Sequence, residues 1–192
     1  GWAGGGVQCG GGSAAASGGK SDCGTLAENE VCVKIATGAP ETGGIAHWGK
    51  DLENGAALAV KTLNEKGDIT VDGKKVKFAL ISEDDAGDPK QGTVVAQKLV
   101  DAGVVGVVGH LTSGVCIPAS SVYANAGMVA VSPSCTSPDY TLKGPKTPKG
   151  SVSAYRVVAT DAQQSPVLAK FILSKGGKNI AVVDDATQYG KG

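Results

Sequence analysis

The 192-residue sequence predicts an α/β fold: a three-layer, doubly wound, mainly parallel sheet, with a second lobe that is cut short. Two observations carry that expectation. Runs such as Val104-Val-Gly-Val-Val108 and Val129-Ala-Val-Ser132 are apolar, β-branched and bounded by Gly and Pro, as strands buried on both faces are. Strand-like runs also alternate with helical patterns through short links, an order that right-handed crossovers build into a doubly wound sheet. Aromatic content is only 4%, so Val, Ala, Leu and Ile must build the core.

The elements follow in order. Val31–Ala36 is a short apolar strand, followed by a Gly-Ala-Pro-Glu-Thr-Gly-Gly loop. Leu52, Ala56, Ala59, Val60 and Leu63 recur at helical spacing, predicting a helix over Lys50–Glu65 that Gly67 stops. Asp72-Gly73 between two apolar runs is a two-residue hairpin signal, and the second arm continues as a core strand over Val76–Ser82. Asp88 followed by Pro89 is a cap and first turn, opening a helix that runs to Gly103. Then come the strand Val104–Val108, a helix over Gly114–Ala126, and the strand Val129–Ser132. Lys143–Gly150, with two prolines, two glycines and three lysines, is loop. Beyond it, Tyr155–Val158 reads as a strand, Gln163–Lys175 as a helix burying Leu168, Phe171 and Ile172, and Asn179–Val183 as a last strand. This divides the chain into a Gly/Ser-rich tether and leader (1–30), a first lobe (31–154) that lacks its later strands, and a crossing with the start of a second lobe (155–192). The sequence stops at Gly190-Lys-Gly192, where a further helix is expected, so the chain reads as a fragment.

Composition excludes several functions. Lys plus Arg and Asp plus Glu are 18 each, and Arg156 is the one arginine. Neither net charge nor bidentate guanidinium chemistry favours nucleic acid or an anionic membrane. No stretch reaches the ~18 apolar residues of a membrane span. The two histidines, His47 and His110, stand beside no Gly-x-Ser-x-Gly elbow. Thr37–Gly44 has the wrong spacing for a dinucleotide loop and a proline in its middle. No enzyme, metal or cofactor is implied. Instead, two apolar runs end in hydroxyl residues, at Leu111-Thr-Ser113 and Ser132-Pro-Ser-Cys-Thr136. Ligands of open α/β sheets sit beyond the carboxyl ends of strands, and hydroxyls there hold a polar ligand without reacting with it. Ser113 also falls at a helix start, where unpaired amides favour an anion; a simple N-cap accounts for it equally.

Six segments in order resemble a known family: His47-Trp-Gly49, Asn64-Glu-Lys-Gly67, Asp84-Asp-Ala-Gly-Asp-Pro-Lys-Gln91, Gly109-His-Leu-Thr-Ser-Gly114, Ser132-Pro-Ser-Cys-Thr-Ser-Pro138 and Asp184-Asp-Ala-Thr-Gln-Tyr-Gly190. Together they resemble the first half of the leucine/isoleucine/valine-binding proteins, type I periplasmic substrate-binding proteins of amino-acid ABC transporters. The resemblance implies a monomeric periplasmic protein. It would close two lobes on a small amino acid and deliver it to an inner-membrane permease. By position, Ser113 corresponds to the serine holding the ligand carboxylate, Ser134 to a residue whose carbonyl accepts from the ammonium, and Thr136 to a threonine contacting both groups. Trp48 corresponds to an aromatic covering the ligand side chain, and Tyr189 to the aromatic closing from the second lobe. Gly87 stands where some relatives carry a cysteine, so that disulfide cannot form.

Of the five cysteines, Cys23 and Cys32 are near in sequence, and Cys116 and Cys135 follow neighbouring strands; both pairs are candidates for disulfides. Small residues before Cys9 and the Gly/Ser arm after it resemble a lipoprotein junction, although Gln8 departs from the usual small residue. Lipidation at Cys9 and a free thiol are equally consistent with this. The rival function is a phospho-receiver-like or ligand-sensing regulatory domain, with Glu83-Asp-Asp85 as its acidic pocket.

Overall fold

The computed structural model describes residues 22–191, so the Gly/Ser-rich segment and Cys9 lie outside the described residues. Six strands form one sheet: β1 Glu30–Ala39, β2 Thr70–Val71, β3 Lys74–Asp84, β4 Gly106–Gly109, β5 Val129–Ser132 and β6 Ala154–Arg156. Their order is β2-β3-β1-β4-β5-β6. All neighbours are parallel except the β2–β3 hairpin, whose turn places Asp72 and Gly73 at φ 51° and 77°. Those positive values are what a two-residue hairpin turn needs, and Asp-Gly supplies them.

Five helices complete the layers: α1 Ala46–Lys66, α2 Pro89–Asp101, α3 Ser113–Asn125, α4 Asp139–Leu142 and α5 Asp161–Ser174. The chain leaves β1 toward β3 through α1, then returns past β1 to β4 through α2 and on to β5 through α3. Right-handed crossovers in opposite directions put α1 on one face and α2 with α3 on the other. The main core lies under α2 and α3, where Val95, Ala96, Leu99, Ala119 and Tyr123 pack on Ala36, Ile81, Val107 and Ala130. The Asp88 carboxylate accepts from the Lys90 and Gln91 amides and so caps α2 as Pro89 begins it.

The outer edge of β3 is closed by a side chain. Among the described residues, the strand beside that edge is β2, which is two residues long and pairs only with Lys74 and Lys75. The Asn64 side-chain amide donates to the Phe78 carbonyl at 2.9 Å and its oxygen accepts from the Phe78 amide at 2.8 Å. One asparagine thus makes the two bonds that a neighbouring strand would otherwise make there.

A buried polar chain ties three elements together below the sheet's carboxyl edge. His110 Nδ1 lies 2.6 Å from the Asp85 carboxylate and Nε2 lies 2.8 Å from the Tyr123 hydroxyl. All three residues are at most 1% exposed. Burial, and after it the nearby Asp85 charge, raise the Tyr123 hydroxyl above its ordinary value and keep it protonated. The assignment that satisfies every group has Nδ1–H donating to Asp85 and the tyrosine O–H donating to Nε2. Gly38 makes room for the ring: a Cβ there would stand 2.5 Å from the imidazole.

The later part of the chain departs from expectation. Residues 179–183 form no strand, and Ile180, Val182 and Val183 are exposed. No strand lies alongside them among the described residues, and an unpaired strand cannot satisfy its ladder. Leu168 and Phe171, expected inside, are each 56% exposed, because among the described residues α5 has no layer against its apolar side. The Tyr155–Val158 strand is shorter and earlier, as β6, and Val157 is exposed.

Tyr123→Phe leaves His110 Nε2 without its partner in a dry site. It should lower stability by about 1–2 kcal/mol, read as a shift in the urea midpoint at unchanged m-value.

Candidate functional site

The sheet order reverses direction between β1 and β4, so a crevice opens beyond their carboxyl ends, where the loops on either side diverge. There the structure has a cleft of roughly 1100 Å³. The residues singled out in the sequence, Trp48, Ser113, Ser134, Thr136 and Tyr189, all line it.

Each reaches the cleft by a different route. Trp48 lies on the first turn of α1, which begins at Ala46 rather than at Lys50. Gly49 lets that turn approach the β1 exit, since a Cβ would collide with the Pro40 carbonyl oxygen. Trp48 is 57% exposed and makes an edge contact with His47 at 5.4 Å. Ser113 opens α3, and Thr112 is its N-cap residue without using its side chain as a cap. The Val115 and Cys116 amides bond to the Thr112 carbonyl, leaving the Ser113 and Gly114 amides at the helix start without partners among the described residues. Ser113 Oγ accepts from the Ser137 amide at 3.3 Å, and its own proton remains available to an acceptor. With 1% exposure it can meet only a ligand seated against that first turn.

The opposing wall is the segment after β5. Ser134 donates its hydroxyl to the Leu111 carbonyl at 2.6 Å, so this side chain holds the two loops together. Its own carbonyl accepts from no group among the described residues. The Thr136 hydroxyl is buried and has no partner among them. A buried hydroxyl without a partner is destabilising unless something fills the gap, and here it stands in a cleft wall. Tyr189 and Asp185 arrive from beyond α5 at the cleft mouth, and Tyr189 is 53% exposed. A hydrogen bond from the Thr187 hydroxyl, then one from its amide, lowers the exposed Asp185 carboxyl below its usual value.

Two further features hold the walls. Arg156 donates to the Cys135 carbonyl at 2.5 Å, the Ser137 carbonyl at 2.8 Å and the Thr141 hydroxyl at 2.7 Å. Its guanidinium also stands 5.5 Å from the centre of the Tyr140 ring. Asp84 accepts from the Glu41 amide (2.8 Å), the Thr42 hydroxyl (2.6 Å) and the Ala86 amide (2.8 Å). Burial raises its carboxyl, but the Thr42 bond and these amides outweigh it and lower it below the ordinary value. The acidic strand end therefore latches loops: Asp85 is committed to His110 and to the Gly87 amide at 2.8 Å. No group of three or more metal-ligating side chains occurs among the described residues.

Sequence reading missed the Arg156 clamp, because a single arginine carries no spacing pattern. It also passed over Ile117 and Leu52, which line the cleft with apolar surface but look like ordinary helix-core positions. For Ile117 a signal existed, four residues beyond Ser113 and hence on the same helix face.

Residues 32–192 match the family described as periplasmic binding protein. The chain belongs to this family. A Leu/Ile/Val-binding protein from Rhizobium johnstonii is 42% identical over 168 residues, 87% of this chain and 42% of that protein. The fold is similar to an ABC transporter substrate-binding protein from Desulfitobacterium hafniense in complex with Leu (TM-score 0.64, 30% identity, 84% of this chain and 44% of that one). It is also similar to a branched-chain amino acid transporter substrate-binding protein from Streptococcus pneumoniae in complex with isoleucine (TM-score 0.71, 27% identity, 84% and 44%). The chain spans about two fifths of the length of the curated relatives it matches. The periplasmic binding protein fold thus accounts for the parallel sheet, and the described residues are a partial lobe of it. No helix among them is long and apolar enough to cross a membrane.

Asp84 is deprotonated at neutral pH and its folded value is the lower one, so its contribution is present above about pH 4 and fades as pH falls through the folded value. Protection of the Glu41, Thr42 and Ala86 amides, taken relative to the intrinsic exchange rate at each pH, should be lost across that acid window before global unfolding. Arg156→Lys cannot reach three acceptors with one ammonium. It should lower stability by about 1–2 kcal/mol and speed exchange across residues 135–141.

Proposed function

We propose that this periplasmic binding protein serves an ABC transporter, binding a small amino acid in the cleft, and that branched-chain Leu, Ile or Val is the ligand class. The observation that carries the reading is that one cleft is lined by several residues with unused polar groups. The open amides of the α3 start, the Ser113 proton, the Ser134 carbonyl and the buried Thr136 hydroxyl all belong to residues that line it. A helix start offers donors to a carboxylate, and a free carbonyl offers an acceptor to an ammonium. Leu52, Ile117 and Trp48 supply apolar surface for an aliphatic side chain. The ligands of the two similar structures, Leu and isoleucine, have the same chemistry.

In this reading residues 31–154 belong to one lobe and residues 155–192 carry the crossing and the start of the other. The ligand lies between the lobes, and Tyr189 closes over it. The closed monomer then presents itself to a membrane permease from the periplasm, held by a tether with a lipid on Cys9 if that thiol is acylated. The groups in the cleft bind without reacting: the imidazole of His110 is buried between Asp85 and Tyr123 rather than offered to the cleft.

Calorimetry of the intact protein against leucine, isoleucine and valine, with alanine, an amide and a hydroxybenzoate as comparisons, tests the reading. Branched-chain ligands should bind best and differ among themselves by about 1–3 kcal/mol, since apolar contacts discriminate methylenes weakly. Preference for the amide or the aromatic acid would overturn the ligand class. Ser113→Ala should weaken binding by about 1–3 kcal/mol, and unchanged affinity would remove Ser113 from the site.

A further inference from the structure

We propose that the Cys116–Cys135 disulfide is a positioning element of the cleft, fixing the first turn of α3 against the segment after β5, so that ligand affinity depends on it. This rests on the ligand-binding reading above. Cys116 lies on that first turn, three residues beyond Ser113, and Cys135 lies between Ser134 and Thr136. The two are disulfide-bonded with Cα atoms 6.5 Å apart, and they are 1% and 0% exposed. Both polar walls of the cleft are therefore joined by one covalent link directly behind the groups that face the ligand.

The remaining ties between these walls are single hydrogen bonds. Ser132 Oγ donates to the His110 carbonyl at 2.7 Å, Ser134 Oγ to the Leu111 carbonyl at 2.6 Å, and the Ser137 amide to Ser113 Oγ at 3.3 Å. Each is a weak bond that can break and re-form without a chemical step, whereas the disulfide is covalent. Preorganised walls spare the ligand the loss of loop freedom on binding. The sulfurs stand 3.2 and 3.5 Å from the His110 carbonyl oxygen, so serine hydroxyls in their place would have an acceptor.

The second disulfide, Cys23–Cys32, supplies the control. It joins the segment before β1 to the first residues of that strand, at the end of the sheet away from the cleft. Both bridges restrict the unfolded chain, so both losses lower the melting temperature, and stability alone does not separate the roles.

The experiment compares the intact protein with Cys116→Ser/Cys135→Ser and with Cys23→Ser/Cys32→Ser, each well below its melting temperature, using leucine calorimetry. The cleft pair should weaken leucine binding about tenfold, while the remote pair stays within about twofold. A folded cleft variant with affinity within about twofold of the parent overturns the proposal. Amide exchange is read in parallel and needs no ligand: the hydrogen-bonded amides of residues 115, 116, 134 and 135 should exchange faster only in the cleft variant, and unchanged exchange also overturns it. If the parent binds neither leucine nor another amino acid, the ligand-binding reading fails on its own and exchange alone decides the positioning role. Should the serine pair not fold, Cys116→Ala/Cys135→Ala takes its place in both measurements.

Discussion

The cleft depends on a buried bond between a carboxylate and an imidazole. Asp85 follows β3 and His110 follows β4, strands that are not neighbours, because β1 lies between them. The bond spans β1 above Gly38, and the second ring nitrogen continues the chain to Tyr123 in α3. With the imidazole so fixed, its backbone carbonyl has a set place, and the Ser132 hydroxyl bonds to it at 2.7 Å. The loops after β4 and β5 are registered against one another through that carbonyl. The polar walls of the cleft inherit their spacing from a network that never touches solvent.

Much of this was legible because it is local. Hydrophobic period and punctuation located β5 to the residue and α1, α2 and α3 to within a few positions, and the Asp-Gly turn and the Asp88 cap follow from dihedral and hydrogen-bond requirements of short segments. The hydroxyl-rich strand ends were visible as residue types. That Ser113 Oγ serves the Ser137 amide, or that the Ser134 hydroxyl serves Leu111, was not visible, since those partners are more than twenty positions away. A similar distance hid Arg156, which grips two carbonyls and a hydroxyl fifteen to twenty-one residues earlier. The residues after Thr160 misled for a different reason. Their apolar pattern describes burial against layers that the described residues do not include.

The two halves of the cleft differ in how firmly they are held. The walls from β4 and β5 combine a disulfide, serine bonds and the Arg156 clamp around a second small core of Cys116, Cys135, Tyr140 and Ala154. The contribution from beyond α5 rests on short local bonds, such as that between the Thr187 amide and Asp185 at 2.9 Å. One wall of the cleft is thus held by covalent and charge-assisted ties, and the segment facing it by short local bonds.

The Asn64 amide on the margin of β3 has a consequence for self-association. A strand with open backbone groups is a template on which a second molecule can add, and long apolar margins of this kind seed fibrils. By filling the positions at Phe78, this one side chain keeps the Phe78 amide and carbonyl from pairing with a foreign strand. The asparagine therefore guards the molecule against its own copies as well as bracing a helix on a sheet.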